Sequence, residues 1–297
     1  MSSWFEQHAR LDGTVAVVTG GAGGLGGAAT RALAANGVRV AVIDIDTQAC
    51  EAISGELGDL GLVRPGDVRD PEQLAALFDA VDARWGRVDT LVNVPGGTFQ
   101  APFTDTNPKG WDSLLRMNLM HVLHACSLAV PRMQAGGRGG SIVNFTTIEC
   151  HRAAPGFAVY SAAKAGVEEF GRTLAVELGP DDIRVNNVAP DYTPTPNMIR
   201  IAGDRPPKTA LDLSVGIPMA RAGELDDVAG CVVFLASGLS SYLTGTTLHP
   251  DGGTYASSGW FNWPQFGWRN NVPAEVAKLM AESTAESPPT GSPPAGT

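Results

Sequence analysis

The sequence is poor in cysteine, in lysine and in long apolar runs, and each shortage excludes a class of protein. Its four cysteines stand too far apart for a C-x-x-C metal or redox motif: Cys50, Cys126, Cys150 and Cys231. A chain of 297 residues needs no disulfide staples, which favours a reduced, intracellular protein. No apolar run reaches the ~18 residues of a membrane span, and the first residues carry Glu6 and no apolar core typical of a secretory signal. We therefore expect a soluble, cytoplasmic protein.

Basic charge is scarce as well. The chain has 21 Lys and Arg against 31 Asp and Glu, a formal net charge of −10. An acidic balance without a basic cluster argues against nucleic acid or a membrane surface as the main partner, and no metal site is predicted. The apolar content of 43% is that of an ordinary globular chain, and the length favours one domain with extensions.

Short apolar runs alternate with helix-length amphipathic stretches from Thr14 onward. The runs cover residues 14–19, 38–44, 61–68, 88–94, 140–147 and 183–189. The stretches between them are predicted to be helices, for example 71–86 and 111–133. Strands that are apolar on both faces and separated by helices predict a parallel sheet covered on both sides. Right-handed crossovers then give an α/β fold with a doubly wound parallel sheet.

Composition divides the chain into four segments. We predict an N-terminal arm over 1–11, one domain over 12–253, an aromatic extension over 254–280 and a disordered tail over 281–297. Inside the domain, the proline-rich segment 190–218 is predicted to be a long loop with at most one short helix. Six of the twenty aromatic residues fall within 255–268, so the extension has apolar surface to bury.

A glycine-rich turn, TGGAGGLG (19–26), follows the first strand and precedes a helix. Glycines let the backbone approach a pyrophosphate, whose charge the helix N-terminal amides stabilise. Two registers fit, G-x-x-x-G-x-G over 20–26 and G-x-G-x-x-G over 21–26. A flexible tight turn without a ligand is the alternative interpretation.

Asp44 closes the second strand and suggests which dinucleotide binds. A carboxylate at this place accepts hydrogen bonds from both adenosine ribose hydroxyls and repels a 2′-phosphate. No Arg or Lys lies between Thr19 and Thr30 to neutralise such a phosphate. We therefore favour NAD over NADP. Alternatively Asp44 caps the next helix, a role for which Asp46 and Thr47 are equally suited.

Tyr160 and Lys164 lie four residues apart in a predicted helix over 157–178, so both side chains share one face. A tyrosine acts as a base near neutral pH only if its pKa falls by about three units. Such a shift requires that the phenolate be stabilised by roughly 4 kcal/mol relative to the phenol. A lysine ammonium one turn away, helped by a cationic nicotinamide, is a suitable source. A surface contact between the two side chains is the alternative.

Taken together and in their order along the chain, the motifs of this sequence resemble those of the short-chain dehydrogenase/reductase family, in its single-domain form of roughly 250 residues. The likeness covers about residues 12–253 through TGGAGGLG (19–26), Asp67-Val68, NVPGG (93–97), Asn118, YSAAK (160–164), APDYTPT (189–195) and LTGTTLHPDGG (243–253). The resemblance implies a Rossmann-like fold, an oxidoreductase acting on CH–OH groups, and a homotetramer or dimer.

The resemblance also implies roles for single residues. Tyr160 exchanges the substrate hydroxyl proton, Lys164 lowers the pKa of Tyr160 and holds the nicotinamide ribose, and Asn118 anchors a water that links Lys164 to solvent. Otherwise Asn118 is a buried amide bonded to neighbouring backbone. The residues implied to bind the cofactor are Gly20, Gly24, Leu25, Gly26, Asp44, Ile45, Asp67, Val68, Asn93, Gly96, Tyr160, Lys164, Pro190, Thr193 and Thr195.

The sequence departs from the family pattern at three places. Thr147 replaces the usual serine and is predicted to orient the substrate, with Thr146 as the candidate if the register shifts by one. Pro95 stands in the usual N-N-A-G and removes a backbone donor. Asp191 replaces a glycine and caps the following loop or touches the substrate. Glu149 and His151 are predicted to be solvated loop residues; the alternative places them at the substrate mouth.

The apolar residues of the 190–218 loop, with the aromatic extension, favour a bulky apolar substrate such as a steroid, terpenoid or lipid acyl group. Packing of the extension on a neighbouring subunit is the equal alternative. We expect NAD-dependent interconversion of a secondary alcohol and a ketone. The alternatives are a 3-oxoacyl thioester reductase and a redox-silent NAD-binding regulatory or scaffold protein.

Overall fold

A seven-stranded parallel sheet forms the centre of the molecule, with strand order β3-β2-β1-β4-β5-β6-β7. The structure, a computed structural model, describes residues 3–202 and 207–285. The strands are β1 (Val15–Thr19), β2 (Arg39–Asp44), β3 (Gly61–Pro65), β4 (Thr90–Asn93), β5 (Gly140–Phe145), β6 (Ile183–Val188) and β7 (Thr247–Leu248). The predicted doubly wound parallel sheet is confirmed.

Helices cover both faces of the sheet. They are α1 (Trp4–Ala9), α2 (Gly24–Ala35), α3 (Thr47–Leu57), α4 (Pro71–Trp85), α5 (Pro108–Leu115), α6 (His121–Gly136), α7 (Ala158–Leu178), α8 (Pro196–Ala202), α9 (Ala210–Gly216), α10 (Leu225–Ala236), α11 (Thr254–Ser257) and α12 (Ala274–Ala285). Among the described residues, none of these helices is both long and apolar enough to cross a bilayer.

Two apolar cores result, one on each face of the sheet. Residues of β1 alternate between them: Val15 and Val17 pack with α4, α6 and α7, whereas Ala16 and Val18 pack with α2, α3 and α10. This alternation follows from the two-residue period of a strand and explains why β1 is buried along its whole length.

The strand order reverses between β1 and β4, which lie side by side with Thr19 opposite Asn93. At such a reversal the loops that follow the two strands diverge and leave a crevice at their carboxyl ends, the usual ligand site of open α/β sheets. The glycine turn follows β1 at this crevice, and Pro95 and Gly96 follow β4.

Three stretches differ from the sequence-based prediction. The single helix predicted over 111–133 is instead α5, a π-helical turn over Arg116–Met120, and α6. The 190–218 segment contains two short helices, α8 and α9, rather than at most one. The aromatic extension forms α11, an antiparallel hairpin of β8 (Phe261–Trp263) and β9 (Gly267–Arg269), and α12.

Both ends of the chain carry helix as well. In the predicted N-terminal arm, α1 begins at a capping box in which Ser3 and Glu6 bond each other's backbone amides. At the other end α12 reaches Ala285, so the tail predicted to be disordered over 281–297 begins inside a helix. Residues 286–297 of that prediction lie outside the described residues.

Candidate active site

The glycine turn between β1 and α2 has no room for side chains. Gly20 and Gly24 have φ of 63° and 52°, in the left-handed region that favours glycine. A Cβ on Gly26 would lie 1.9 Å from the Gly20 carbonyl oxygen. These three positions match the register G-x-x-x-G-x-G over 20–26. The turn is a backbone cradle at a helix N-terminus, and it fits a pyrophosphate.

Asp44 faces this cradle from the carboxyl end of β2. Its carboxylate accepts hydrogen bonds from the backbone amides of Ala22, at 3.0 Å, and Asp46, at 3.1 Å. The cap of α3 is Asp46, whose side chain accepts from the Ala49 amide. Asp44 is therefore not the helix cap, and a fixed negative charge stands beside the turn.

By the resemblance, Asp67 and Val68 are expected to frame the adenine and Ile45 to bind elsewhere on the cofactor; all three lie further along the same edge. Val68 is buried, whereas Ile45 is 67% exposed. The carboxylate of Asp67 is held by Arg69, with 2.6 Å between Oδ2 and Nη2, and this partner lowers the pKa of Asp67. Contact of Asp67 with an adenine stays a prediction.

Asn118 and Lys164 converge on Gly96 in the loop after β4. A Cβ on Gly96 would lie 3.1 Å from Asn118 Oδ1 and 3.2 Å from Lys164 Nζ. Asn118 sits in the π-helical turn, a feature frequent at functional sites. Its side chain accepts from the Gly97 amide at 3.1 Å and donates to the Gly97 and Leu114 carbonyls at 2.8 and 2.9 Å.

Lys164 is an almost fully buried cation. Its Nζ donates to the carbonyl oxygens of Phe145, at 2.8 Å, and Pro95, at 3.3 Å. Pro95, a departure from the family pattern, therefore supplies an acceptor to Lys164. Burial lowers the pKa of Lys164 to about 8. The amine can thus both hold and release a proton near neutral pH.

Tyr160 lies one turn before Lys164 on α7 and contacts Thr147. Burial of the phenol raises the pKa of Tyr160 to about 12, while the hydrogen bond with Thr147 lowers it. The predicted lowering by Lys164 is absent: burial raises the pKa of Tyr160, and the neighbouring Cys150 and Glu149 raise it further. Thr147 rather than Thr146 faces the phenol: Thr146 Oγ1 donates to the Val188 carbonyl at 3.4 Å, in the interior.

The predicted cofactor residues after β6 close the crevice from the other side. Thr195 caps α8 by accepting from the Met198 amide, and its Cγ2 would lie 3.5 Å from a Cβ on Gly24. Thr193 is buried and its hydroxyl has no protein hydrogen-bond partner. The Pro190 carbonyl accepts from the Ile148 amide at 3.3 Å.

Two other predicted cofactor residues have different surroundings. Leu25 is half-buried on the first turn of α2. The Asn93 side chain points into the core, where it donates to Asn144 Oδ1 at 2.9 Å and lies 3.4 Å from Thr19 Oγ1. Asn93 therefore stabilises the sheet from within, and its place in the cofactor floor stays a prediction.

A charged cluster stands near Tyr160. Arg152 pairs with Glu149 at 2.8 Å and with Asp191 at 3.3 Å, and burial raises the pKa of Asp191. Asp191 thus joins the strand-end loops rather than capping its own loop. With Tyr255, Trp260 and Phe261 of the extension, Glu149 and Arg152 line an open cavity of about 430 Å³. Glu149 thus has an ion-pair partner and a place in a cavity wall, in line with the alternative interpretation, and its contact with a substrate stays a prediction.

His151 is also not a solvated loop residue. Its ring lies 3.1 Å from the buried carboxylate of Glu168 and packs against the rings of His249 and Tyr255, at 4.7 and 5.0 Å between centroids. His249 and Tyr255 stack on each other at 4.6 Å. These rings fasten the aromatic extension to the site.

Sequence reasoning missed Arg152, Glu168 and His249. No local spacing links these three, since they come together only through the fold. Within the described part of the chain, no group of three or more His, Cys, Asp or Glu is placed to hold a metal ion.

Comparison with known proteins agrees with this geometry. A family model described as enoyl-(acyl carrier protein) reductase matches residues 20–255. The chain is 38% identical to D-threitol dehydrogenase of Mycolicibacterium smegmatis over 82% of this chain and 94% of the relative. It is 37% identical to 3-oxoacyl-[acyl-carrier-protein] reductase of Thermotoga maritima over 82% and 98%. A solved structure described as a short chain dehydrogenase/reductase family protein has a TM-score of 0.74 and 36% identity, covering 83% of this chain and 99% of its own.

Proposed function

The chain belongs to the short-chain dehydrogenase/reductase family of oxidoreductases, and on that premise we propose that it interconverts a secondary alcohol and a ketone with NAD. The observation that carries the proposal is the contact between Tyr160 and Thr147, one helical turn from a buried Lys164 and beside a backbone cradle for a dinucleotide. The Asn118, Tyr160 and Lys164 set also counts against a redox-silent scaffold, which needs no such arrangement.

The bound cofactor supplies one piece of chemistry, a nicotinamide that accepts or returns a hydride. The protein moves the proton. Tyr160 takes the substrate hydroxyl proton during oxidation and gives it back during reduction. Thr147 positions the reacting oxygen through its hydroxyl. The pKa of Tyr160 is raised to about 12, chiefly by burial, so its phenolate needs a positive charge beside the ring, which a bound oxidised nicotinamide would supply.

The residues of the cradle favour NAD over NADP. The carboxylate of Asp44, held by two backbone amides, would accept hydrogen bonds from the hydroxyls of the adenosine ribose. A 2′-phosphate at the same place would meet that negative charge. Arg31, the first basic residue after the turn, is paired with Glu56 instead. Gly20, Gly24 and Gly26 would hold the pyrophosphate, and Lys164 the nicotinamide ribose.

The cavity beside the site suits a bulky substrate with an apolar body, such as a steroid, terpenoid or lipid. Its volume of about 430 Å³ falls in the range of small-molecule pockets, and three aromatic side chains of the extension form one wall. Arg152 and Glu149 add a pair of opposite charges to the lining. The substrate that we propose therefore carries a polar group as well as an apolar body.

A second candidate activity is reduction of a 3-oxoacyl thioester, the reaction named for the Thermotoga maritima relative. The aromatic wall would accept an acyl chain equally well. Asp44 counts against it, because that activity commonly uses NADPH. We further propose, from the family resemblance, that the protein is cytoplasmic and assembles as a homotetramer or dimer.

The test is turnover by the purified full chain with NAD and a panel of secondary alcohols, followed as NADH absorbance. We expect oxidation of at least one bulky alcohol and loss of more than ~1000-fold in kcat/KM in Tyr160→Phe, with NAD affinity retained. Thr104→Val, which removes an exposed hydroxyl outside the site, serves as the matched control. Tight NAD binding without turnover of any alcohol would favour the scaffold instead.

A further inference from the structure

Of the described residues that line the cavity of about 430 Å³, Arg152 alone is a cation. An arginine in a substrate cavity commonly recognises a carboxylate or phosphate, because its guanidinium donates two parallel hydrogen bonds to such a group. In this chain those two donors already have a protein partner. Nε and Nη2 of Arg152 donate to the two carboxylate oxygens of Glu149, at 3.1 and 2.8 Å. A protein carboxylate therefore occupies the position that an anionic substrate would need.

A second carboxylate shares the same guanidinium. Nη2 of Arg152 also donates to Asp191 Oδ1 at 3.3 Å, and the side chain of Asp191 is 12% exposed. Asp191 is hydrogen-bonded to Thr254 as well, a residue of the cavity wall. The family pattern has a glycine at the position of Asp191, so this carboxylate is specific to this chain.

The charges around Arg152 do not balance. Asp251, which is 8% exposed and whose carboxylate accepts from two backbone amides at 2.8 Å each, acts on Arg152 as a third carboxylate. The further cation that acts on Asp191 is the exposed Lys208, whose Nζ lies 4.6 Å from the centroid of the Tyr192 ring. Three carboxylates thus stand against two cations on this side of the cavity.

We infer that Asp191, acting through Arg152, makes the cavity select substrates whose polar group carries no negative charge and donates hydrogen bonds, an ammonium group above all. This inference rests on the proposed function and narrows its substrate class. A carboxylate or phosphate on the substrate would have to displace Glu149 or Asp191 from the guanidinium, or else stand beside them without a partner. An ammonium group would instead pair with the carboxylate of Glu149 in the cavity wall.

Three phenylethanols that differ only in the para substituent test the inference: aminomethyl, carboxamide and carboxylate. The carboxamide and the carboxylate have nearly the same shape, so the ratio of their kcat/KM values isolates the effect of charge. With the full chain and NAD, we expect kcat/KM to be at least ~tenfold lower for the carboxylate than for the carboxamide, mainly through KM. The aminomethyl compound, an ammonium at neutral pH, should exceed the carboxamide at least ~threefold.

Substitutions of Asp191 show whether its charge produces this order. Asp191→Asn keeps the shape and removes the charge, so kcat/KM for the carboxylate should rise at least ~fivefold while that for the carboxamide changes less than ~twofold. Asp191→Glu keeps the charge and should preserve the order seen in the parent, which separates charge from folding.

The matched control lies outside the cavity, on α4 and α6. There Arg132 joins Asp79 and Asp82 at 3.2 and 2.9 Å, so one arginine again lies between two carboxylates. Asp79→Asn removes one of these charges as Asp191→Asn does. It should leave both the order of the three alcohols and their kcat/KM values as in the parent.

A second readout needs no turnover. The three acetophenones with the same para substituents are titrated calorimetrically into the protein with oxidised NAD, which cannot reduce them. We expect the affinity to fall from the ammonium compound to the carboxamide and at least ~tenfold further to the carboxylate.

The outcomes separate this inference from the proposed function. Oxidation of the carboxylate as fast as the carboxamide, or an unchanged ratio in Asp191→Asn, would overturn the selection against anions while alcohol oxidation stands. Ketones that bind in the expected order to a protein that oxidises none of the alcohols would reject the proposed function and leave the charge selection. Equal affinities, or no binding of any of the three ketones, would overturn the inference as well.

Discussion

Replacing Lys164 by Met tests whether the buried cation lowers the free energy of unfolding of the protein. Lys164 is 2% exposed, and burial lowers its pKa from 10.5 to about 8. At ~1.4 kcal/mol per pKa unit, the charged form at pH 7 costs the folded protein about 3 kcal/mol relative to the unfolded chain. Met has a similar volume and carries no charge, so Lys164→Met removes this cost.

The lowered pKa of Lys164 determines how the free energy of unfolding changes with pH, and over which pH range. Between pH 8 and pH 10.5 the unfolded chain still binds a proton at this lysine while the folded protein has lost it. The free energy of unfolding of the parent therefore rises with pH in this window, by about 2–3 kcal/mol between pH 7 and pH 10. Lys164→Met lacks that rise. The stability of Lys164→Met relative to the parent is therefore highest at pH 7 and decreases as the pH rises.

Urea unfolding of both proteins at pH 7, 8, 9 and 10, without cofactor, measures the difference directly. The Phe145 and Pro95 carbonyls lose their donor in the variant, but that loss shifts the difference equally at every pH. Tyr160, whose pKa of about 12 lies above the window, stays protonated in both folded proteins. A difference in free energy of unfolding that is constant from pH 7 to pH 10 would refute the depressed pKa and the role built on it.

Three further outcomes follow from the site. Gly26→Ala should weaken NAD binding at least ~100-fold by calorimetry, because its Cβ would lie 1.9 Å from the Gly20 carbonyl oxygen; Gly23→Ala, with open space around its Cβ, is the control and should bind normally. Asp44→Ser should lower the ratio of kcat/KM with NAD to that with NADP at least ~tenfold, and an unchanged ratio would remove Asp44 from ribose recognition. Thr147→Ser should keep turnover within ~tenfold whereas Thr147→Ala loses far more; equal, mild losses would contradict an orienting hydroxyl.

The sheet and the pairing of Tyr160 with Lys164 on one helix could be predicted because their signals are local. The first apolar run predicts a buried strand because both of its faces are apolar, and residues of β1 do pack into both cores. Tyr160 and Lys164 share a face through a four-residue spacing on α7, which the structure keeps. The glycine register could not be chosen from sequence, because glycine crowding satisfies two patterns; only backbone φ and the Gly20 to Gly26 approach distinguish them.

The surroundings of the site depend on contacts between distant segments, which spacing does not encode. Arg152 meets Asp191 because the loops after β5 and β6 leave neighbouring strands at the same edge of the sheet. His151 packs on Tyr255 only because α11 folds back over the strand ends. The π-helical turn was hidden because apolar residues continue through 111–133 without a break in period.

The buried amine of Lys164 is best understood together with its surroundings. An apolar replacement of a buried cation generally stabilises a fold or leaves its stability unchanged, so stability gives no reason to keep it. Lys164 is 2% exposed, and it meets Asn118 at Gly96, beside the π-helical turn. Local departures from packing rules concentrate where function requires them. A buried cation one helical turn from Tyr160 therefore points to the proposed proton chemistry rather than to stability as the reason why the fold keeps it.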